Sequence, residues 1–336
     1  MSIPATTTAV ASTQAGPVDA PGSFVDLTLD VFPPTGHDLL VEVRAVSVNP
    51  VDGKVRASFD PQDEPKVLGW DAAGVVIAVG SEVTGYAVGD EVYYAGSIAR
   101  SGSNTRHQLV DERIVGRKPA TLDFAEAAAL PLTSITAWEA LHERLHLTSE
   151  STGTLLVVGG AGGVGSMVIQ LARRIPGVTT VATASRTETA DWVRQMGAHH
   201  VVDHHHLVEQ VQAVAPDGVD WIFTAFSEGN VDAFAELLTV RGEVVAIDDP
   251  AGLDLLPLKA KSITWHWELM FTVSLFTPGS TAQRELLDEV SRLVDYGELR
   301  TTLTQRLGPL SAGTLREAHR QVESSSTIGK VVLTVE

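Results

Sequence analysis

An α/β protein of two domains is what this chain predicts, and three observations carry that expectation. Short apolar strands separated by Gly, Pro and Asp turns fill the first third, strand–helix alternation runs on from Thr152, and between the two first alternating elements lies a Gly-x-Gly-x-x-Gly turn. The first pattern belongs to an all-β barrel or roll. The second belongs to a doubly wound parallel sheet with right-handed crossovers. At 336 residues the chain is long for one core and suits two.

Taken in order, Met1 to Gly22 is rich in Thr, Ala, Ser and Pro, lacks the basic start and apolar centre of a signal peptide, and reads as a partly frayed lead-in. Strands are expected at Asp38–Val46, Gly74–Gly80 and Gly89–Tyr94. Helical composition begins at Phe124–Leu130 and resumes from Thr133 to Leu145, with Pro131 breaking between them. Beyond Thr152 the expected strands are 154–158, 179–183, 200–203, 219–224, 242–247 and 262–267, and the expected helices 165–174, 188–196, 207–214 and 230–240. Helices over 282–293 and 312–322 and a closing strand over 330–335 follow. That tail is short for an independent domain, so it is expected to complete the first one, with the nucleotide domain inserted and the active site in the cleft between them. The expected division is 1–127 with 272–336 against 128–271.

The glycine turn is the most informative segment. Leu155–Val158 is an apolar β-type run, Gly160, Gly162 and Gly165 form the turn, and an amphipathic helix follows to Arg174. Gly160 is expected to allow the reversal, Gly162 to admit a pyrophosphate to the backbone, and Gly165 to let helix and strand pack closely. The N–H groups of Gly163, Val164 and Gly165 would then meet the phosphates at the positive end of the helix dipole. The second strand ends at Ala184-Ser185-Arg186-Thr187, with no acid until Glu188. An NAD site places Asp or Glu about 20 residues past the last glycine for the ribose 2′-hydroxyl. A hydroxyl and a guanidinium there suit a 2′-phosphate instead, so NADPH is the expected cofactor.

Composition removes several classes. The net charge of −18 argues against a nucleic-acid partner and against anionic membrane surfaces. Cysteine is absent, which excludes disulfides, thiolate metal sites and a cysteine nucleophile. No apolar run approaches the roughly 18 residues of a membrane span, and a cytoplasmic enzyme is expected. The histidines His199, His200 and His204–His206 form the one rich tract; in an extended strand adjacent rings would point to opposite faces and not converge on a metal, and a solvated turn following strand 200–203 is expected.

Several motifs recur together: Val46-Ser47-Val48-Asn49-Pro50-Val51-Asp52-Gly53-Lys54-Val55-Arg56, Leu68-Gly69-Trp70-Asp71-Ala72-Ala73-Gly74, Gly89-Asp90-Glu91-Val92, Leu130-Pro131-Leu132-Thr133-Ser134-Ile135-Thr136-Ala137-Trp138, the glycine turn, and Gly329-Lys330-Val331-Val332-Leu333. On these motifs, in order over nearly the whole chain, the sequence resembles the medium-chain dehydrogenase/reductase superfamily, and within it the zinc-free quinone oxidoreductase branch. The resemblance implies a GroES-like β-barrel catalytic domain around a Rossmann domain, and a homodimer joined at Rossmann sheet edges, here 262–271. It implies Asn49 near the nicotinamide ribose and substrate, Thr136 near the nicotinamide, and Lys54 at a substrate-facing position. It further implies His204 beside the 2′-phosphate, the Ile247–Asp248 backbone at the nicotinamide, and Lys330 near the cofactor. The resembled subgroup is often labelled zinc-type alcohol dehydrogenase-like. Zinc members place Cys near Asn49 and His-Glu where this chain has Trp70-Asp71, and four Cys of a structural lobe are lacking here, so no metal is expected.

Without zinc, nothing strongly polarises a simple ketone. The expected substrate is therefore electrophilic by its own conjugation, a quinone first and an enone second, with hydride from the nicotinamide. Three readings stay open beside a quinone reductase: an enoyl or enone reductase, a non-catalytic NADPH-binding crystallin-like protein, and a zinc alcohol dehydrogenase. Lys54 is either an oxyanion stabiliser or a surface lysine at a helix start. Asp52 is expected to cap its turn, and Tyr94 is either a proton donor or barrel core.

Overall fold

A computed structural model describes residues 3–58 and 65–336. In chain order the elements are β1 (Thr6–Ser12), β2 (Val25–Asp30), β3 (Asp38–Ser47), α1 (Pro50–Ser58), β4 (Lys66–Val67), β5 (Ala72–Val79), β6 (Glu91–Tyr94), β7 (His107–Asp111), β8 (Gly116–Arg117), α2 (Phe124–Ala128) and α3 (Pro131–Trp138). Then come β9 (Thr152–Val158), α4 (Gly163–Arg173), β10 (Gly177–Thr183), α5 (Thr187–Met196), β11 (His200–Val202), α6 (Leu207–Val214), β12 (Val219–Thr224), α7 (Val231–Leu237), β13 (Leu238–Ala246) and β14 (Thr264–Trp267). The chain closes with α8 (Phe271–Phe276), α9 (Ala282–Asp295), β15 (Leu303–Pro309), α10 (Ala312–Glu323) and β16 (Lys330–Thr334). The chain divides into two compact units, Met1–Ile135 with Phe271–Glu336, and Thr136–Met270.

The first unit is the GroES-like one. Its larger sheet among the described residues runs β15-β16-β3-β5-β6-β8, with β7 also on β3, and a smaller sheet runs β2-β1-β4. Alternate residues of β3, β5, β6 and β16 (Val41, Val43, Val76, Val92, Val331, Leu333) pack into one apolar core. β16 lies antiparallel to β3, with Leu333 opposite Val46, so the C-terminal segment completes this unit. The frayed lead-in expected for the N-terminus is corrected over its described part. Thr6–Ser12 is a paired strand whose Ala9, Val10 and Ala11 are buried, because β-branched and small residues pair with β2 and β4. The break expected at Pro131 separates α2 from α3, and the proline starts the second helix. It is the first residue of α3, where its missing N–H costs nothing, and the helix passes into a π turn over Glu139–Arg144.

The second unit is a parallel sheet in the order β11-β10-β9-β12-β13-β14, the doubly wound Rossmann arrangement. Buried Leu156, Val181, Ile222 and Val244 from its strands meet Val211, Phe234 and Leu237 from flanking helices. Strands covered on both faces need continuous apolar runs, and that is why these segments read so clearly. The helix expected over 230–240 ends at Leu237 instead, and β13 starts at once, with Arg241 in the left-handed region at φ 65°. The order reverses between β9 and β12, and their carboxyl ends form the switch point at which such sheets take ligands. No helix among the described residues is long and apolar enough to cross a membrane.

Candidate functional site

In the second unit the glycine turn leaves β9 and enters α4 with no side chain capping the helix at Gly162, so first-turn N–H groups stay available to an anion. The reversal belongs to Gly159, at φ 88°, and not to Gly160 as expected from the motif. Gly160 is needed for room: a Cβ there would meet Ala182 Cβ at 3.0 Å and Val193 at 3.3 Å. A Cβ on Gly165 would lie 2.3 Å from the Gly159 carbonyl oxygen and 2.8 Å from Gly160 Cα, so this glycine lets the helix start directly on the turn. Around Gly162 the nearest atom to an added Cβ is 3.5 Å away, which leaves its face open. The turn is fastened by Gly159 N–H donating to Thr183 Oγ1 at 2.9 Å.

The strand ends beside the turn collect the remaining candidates of this unit. Ser185 and Arg186 follow β10 directly, and Arg186 caps α5 with its backbone N–H on Thr189 Oγ1 at 3.1 Å. Thr183 of β10 pairs with Val202 of β11, which brings Asp203 and exposed His204 next to that loop. The solvated turn expected after strand 200–203 is present: exposed His204–His206 form a 3-10 turn capped by Asp203, whose carboxylate accepts the His205 N–H at 2.9 Å. Ligand atoms of Asp203, His204 and His205 therefore lie within 4.8 Å of one another at the surface, correcting the expectation that they diverge. Ile247 follows β13, its N–H on the Thr224 carbonyl at 3.1 Å, and the Asp248 carboxylate is spent on Ser227, 2.6 Å from both its N–H and its hydroxyl. Phe226, half-exposed after β12, lies against Gly159, with a Cβ there 3.0 Å from its ring. Sequence reading missed Phe226; its signal was an aromatic residue directly after an apolar strand at the switch point. Thr136 is buried in α3.

In the first unit Asn49, Asp71 and Lys330 form one buried cluster. β3, β5 and β16 are neighbours in one sheet, and the three residues stand at adjacent strand ends. Asn49 Nδ2 donates to Asp71 Oδ2 at 2.8 Å. The Lys330 ammonium donates to Val48 O at 3.0 Å, Asn49 Oδ1 at 2.5 Å and Asp71 Oδ2 at 3.0 Å. An ammonium has three donors, and these three acceptors take them all, so Lys330 serves the cluster itself. Asp71 Oδ1 accepts the Leu132 N–H at 2.8 Å, placing a carboxylate at the start of α3, where the helix dipole favours it. Burial pushes the Asp71 carboxyl above its usual range, and Lys330 opposes that. Lys54 is exposed on α1, outside this buried cluster, and Tyr94 is core, its hydroxyl on Gln108 at 2.9 Å.

Asp52 caps α1 by accepting the Asn49 N–H at 2.9 Å, while its other oxygen is buried with no partner among the described residues. Burial pushes this carboxyl up to about 7, against the pull of Lys330 and Arg56. Its proton is thus kept in the folded chain and lost from the unfolded one between about pH 4 and 7, so stability falls as pH rises through that window and is level above it. Asp52→Asn keeps the cap acceptor and removes the titration. Relative to the parent, the variant is expected to gain about 2–3 kcal/mol on going from about pH 5 to pH 8. Thermal melts of both proteins at the two pH values read this directly, and an unchanged difference would disprove it.

This architecture, a GroES-like unit and a Rossmann unit with an open glycine turn, defines a dinucleotide-dependent oxidoreductase class. Known proteins agree. Profiles described as "Alcohol dehydrogenase GroES-like domain" and "Zinc-binding dehydrogenase" match residues 35–137 and 196–333. A zinc-type alcohol dehydrogenase-like protein of Staphylococcus aureus is 41% identical, over 90% of this chain and 92% of its own. An NADPH-dependent alkenal/one oxidoreductase of Arabidopsis thaliana is 32% identical, over 88% and 71%. The crystal structure of a putative zinc-dependent alcohol dehydrogenase protein from Rhizobium etli is 49% identical, covers 98% of both chains and superposes with a TM-score of 0.94. The chain belongs to the medium-chain dehydrogenase/reductase superfamily and is an oxidoreductase of it.

The zinc in those relatives' names requires ligands that converge as Cys, His or carboxylate. Here the matching positions hold an amide, an indole and a carboxylate already paired to an ammonium. That donor set does not fit zinc.

Proposed function

We propose that this protein reduces a quinone with NADPH and without zinc. The observation that supports this most directly is the Lys330 ammonium seated between Asn49 and Asp71, positions where zinc members of the family carry ligands. NADPH, when bound, supplies the hydride. The turn N–H groups over 163–165 hold the pyrophosphate, Gly162 leaves it room, and Ser185 with Arg186 holds the 2′-phosphate. In the first unit Asn49 offers an amide N–H to the acceptor oxygen as charge develops there. A conjugated acceptor needs no stronger acid, since its reduced oxygen takes a proton from water. Enones share this electrophilic pattern, and the Arabidopsis alkenal/one relative favours them as the second reading.

The test is NADPH and NADH oxidation against a panel of quinones and enones. Turnover of quinones above enones supports the first reading, the reverse order the second, and no turnover with either sinks both. In the same assay Arg186→Ala is expected to weaken NADPH binding roughly 10–100-fold, the value of one charge-assisted contact, and to leave NADH within about twofold. Equal losses for the two cofactors would contradict the 2′-phosphate assignment.

A further inference from the structure

We propose that Lys330 and Asp71 are positioning residues: together they lock the Asn49 carboxamide in one orientation and so hold one of its N–H groups ready for the acceptor oxygen. The inference rests on the reductase reading for the last step only. A side-chain amide has two nearly isosteric ends, and in an apolar pocket either could face either way. Here the two ends meet opposite charges. Asn49 Oδ1 faces the Lys330 ammonium at 2.5 Å, and Asn49 Nδ2 faces the Asp71 carboxylate at 2.8 Å. Flipping the amide would set NH2 against the ammonium and oxygen against the carboxylate, two repulsive contacts in a site where Asp71 is 0% and Lys330 4% exposed. Low exposure makes such contacts count for more than at a surface.

The cluster is held from outside as well. Asp71 is tied to the start of α3 through Leu132, and Lys330 to the Val48 carbonyl at 3.0 Å, so neither charge can follow the amide if it turns. The first Asn49 Nδ2 hydrogen goes to Asp71, and the second has no acceptor among the described residues, although Asn49 is only 2% exposed. A purely structural core at this place would need no charges, because well-packed apolar residues are often as stable as a buried ion pair. The product specific to this ion pair is a fixed amide with one unsatisfied donor.

The experiment uses the full chain and the variant Lys330→Met/Asp71→Asn, which removes both charges together and leaves none unpaired. Exchange of the Asn49 side-chain amide with solvent is followed by 15N NMR, the signal being assigned by its loss in Asn49→Ala. Strong protection in the parent and at least about tenfold faster exchange in the double variant are expected, and equal exchange rates would overturn the locking. Steady-state rates form the second arm. The double variant is expected to lose on the order of 10–100-fold in kcat, somewhat less than removal of one oxyanion donor, with KM for NADPH within about twofold. Adding Asn49→Ala to it should bring the loss only to that of Asn49→Ala alone, because the two charges act through that amide; multiplicative loss, or an unchanged kcat in the double variant, overturns the proposal. Lys330→Gln, a neutral side chain still able to donate one bond to Asn49, is the second variant and should fall between. If the parent reduces no quinone or enone, the reductase reading fails while the exchange arm still decides the locking.

Discussion

Gly165→Ala is expected to lose both dinucleotide binding and stability, whereas Gly162→Ala should lose binding alone. The two glycines stand three residues apart in one turn, but their surroundings differ. A methyl group on Gly165 would sit 2.3 Å from the Gly159 carbonyl oxygen and 2.8 Å from Gly160 Cα, both backbone atoms of a turn already pinned to Thr183. Backbone cannot give way as a side-chain tip can, so the turn must open or the helix must move. Overpacking of this kind costs about 1–3 kcal/mol and occasionally more, and a displaced α4 no longer aims its first N–H groups at one point. A weakening of NADPH affinity by two orders of magnitude or more is expected, since several charge-assisted bonds are lost together. At Gly162 φ is −71° and the closest atom to an added methyl is 3.5 Å away, so the unliganded protein accepts alanine. A bound pyrophosphate would meet that methyl. Fluorescence titration with NADPH and thermal melts of both variants separate the cases, and a Gly165→Ala protein with parental stability would show that the close approach is not a constraint.

Lys330→Met alone is expected to destabilise the first unit by about 3–5 kcal/mol at pH 8, the range for stripping one partner from a buried ion pair. The remaining partner, Asp71, is fully buried, and its carboxyl is already pushed upward by burial with Lys330 as the main opposing influence. Without the ammonium its folded-state value rises further. A carboxyl raised in the folded state keeps its contribution at low pH and loses it as pH climbs, so the deficit should shrink towards about pH 5. Adding Asp71→Asn should recover most of the loss at pH 8. Denaturant unfolding of the parent, single and double variants at the two pH values checks all three statements. A single variant within about 1 kcal/mol of the parent throughout would mean that the pair is solvated and the buried cluster is wrong.

The two units were not equally legible in the sequence. The Rossmann unit could be read almost element by element, because its strands need apolar runs on both faces and its helices need amphipathic ones, and each pattern is complete within about ten residues. The segments 207–214 and 219–224 are the plainest cases, matching α6 and β12 as expected. The first unit was less legible where the signal is a single face or an edge. β1 is built of Thr, Ala, Val and Ser, a composition shared by loose linkers, and only pairing with β2 and β4 makes it a strand. Pro131 was ambiguous for a related reason: the same ring ends a helix from inside and starts one from its first position.

At the candidate site the division is sharper. The glycine turn, the missing acid after the second strand and the lack of cysteine are facts of composition and spacing, and the sequence alone settles them. Which glycine makes the reversal, that Phe226 lies on the turn, and that Asp248 is committed to Ser227 depend on where strand ends come to rest in a twisted sheet. The Asn49 cluster is the extreme case, since its partners are 22 and 281 residues away along the chain. Nothing local marks Lys330 as the counter-charge of Asp71; only burial, by taking water away from both, turns two ordinary side chains into one device.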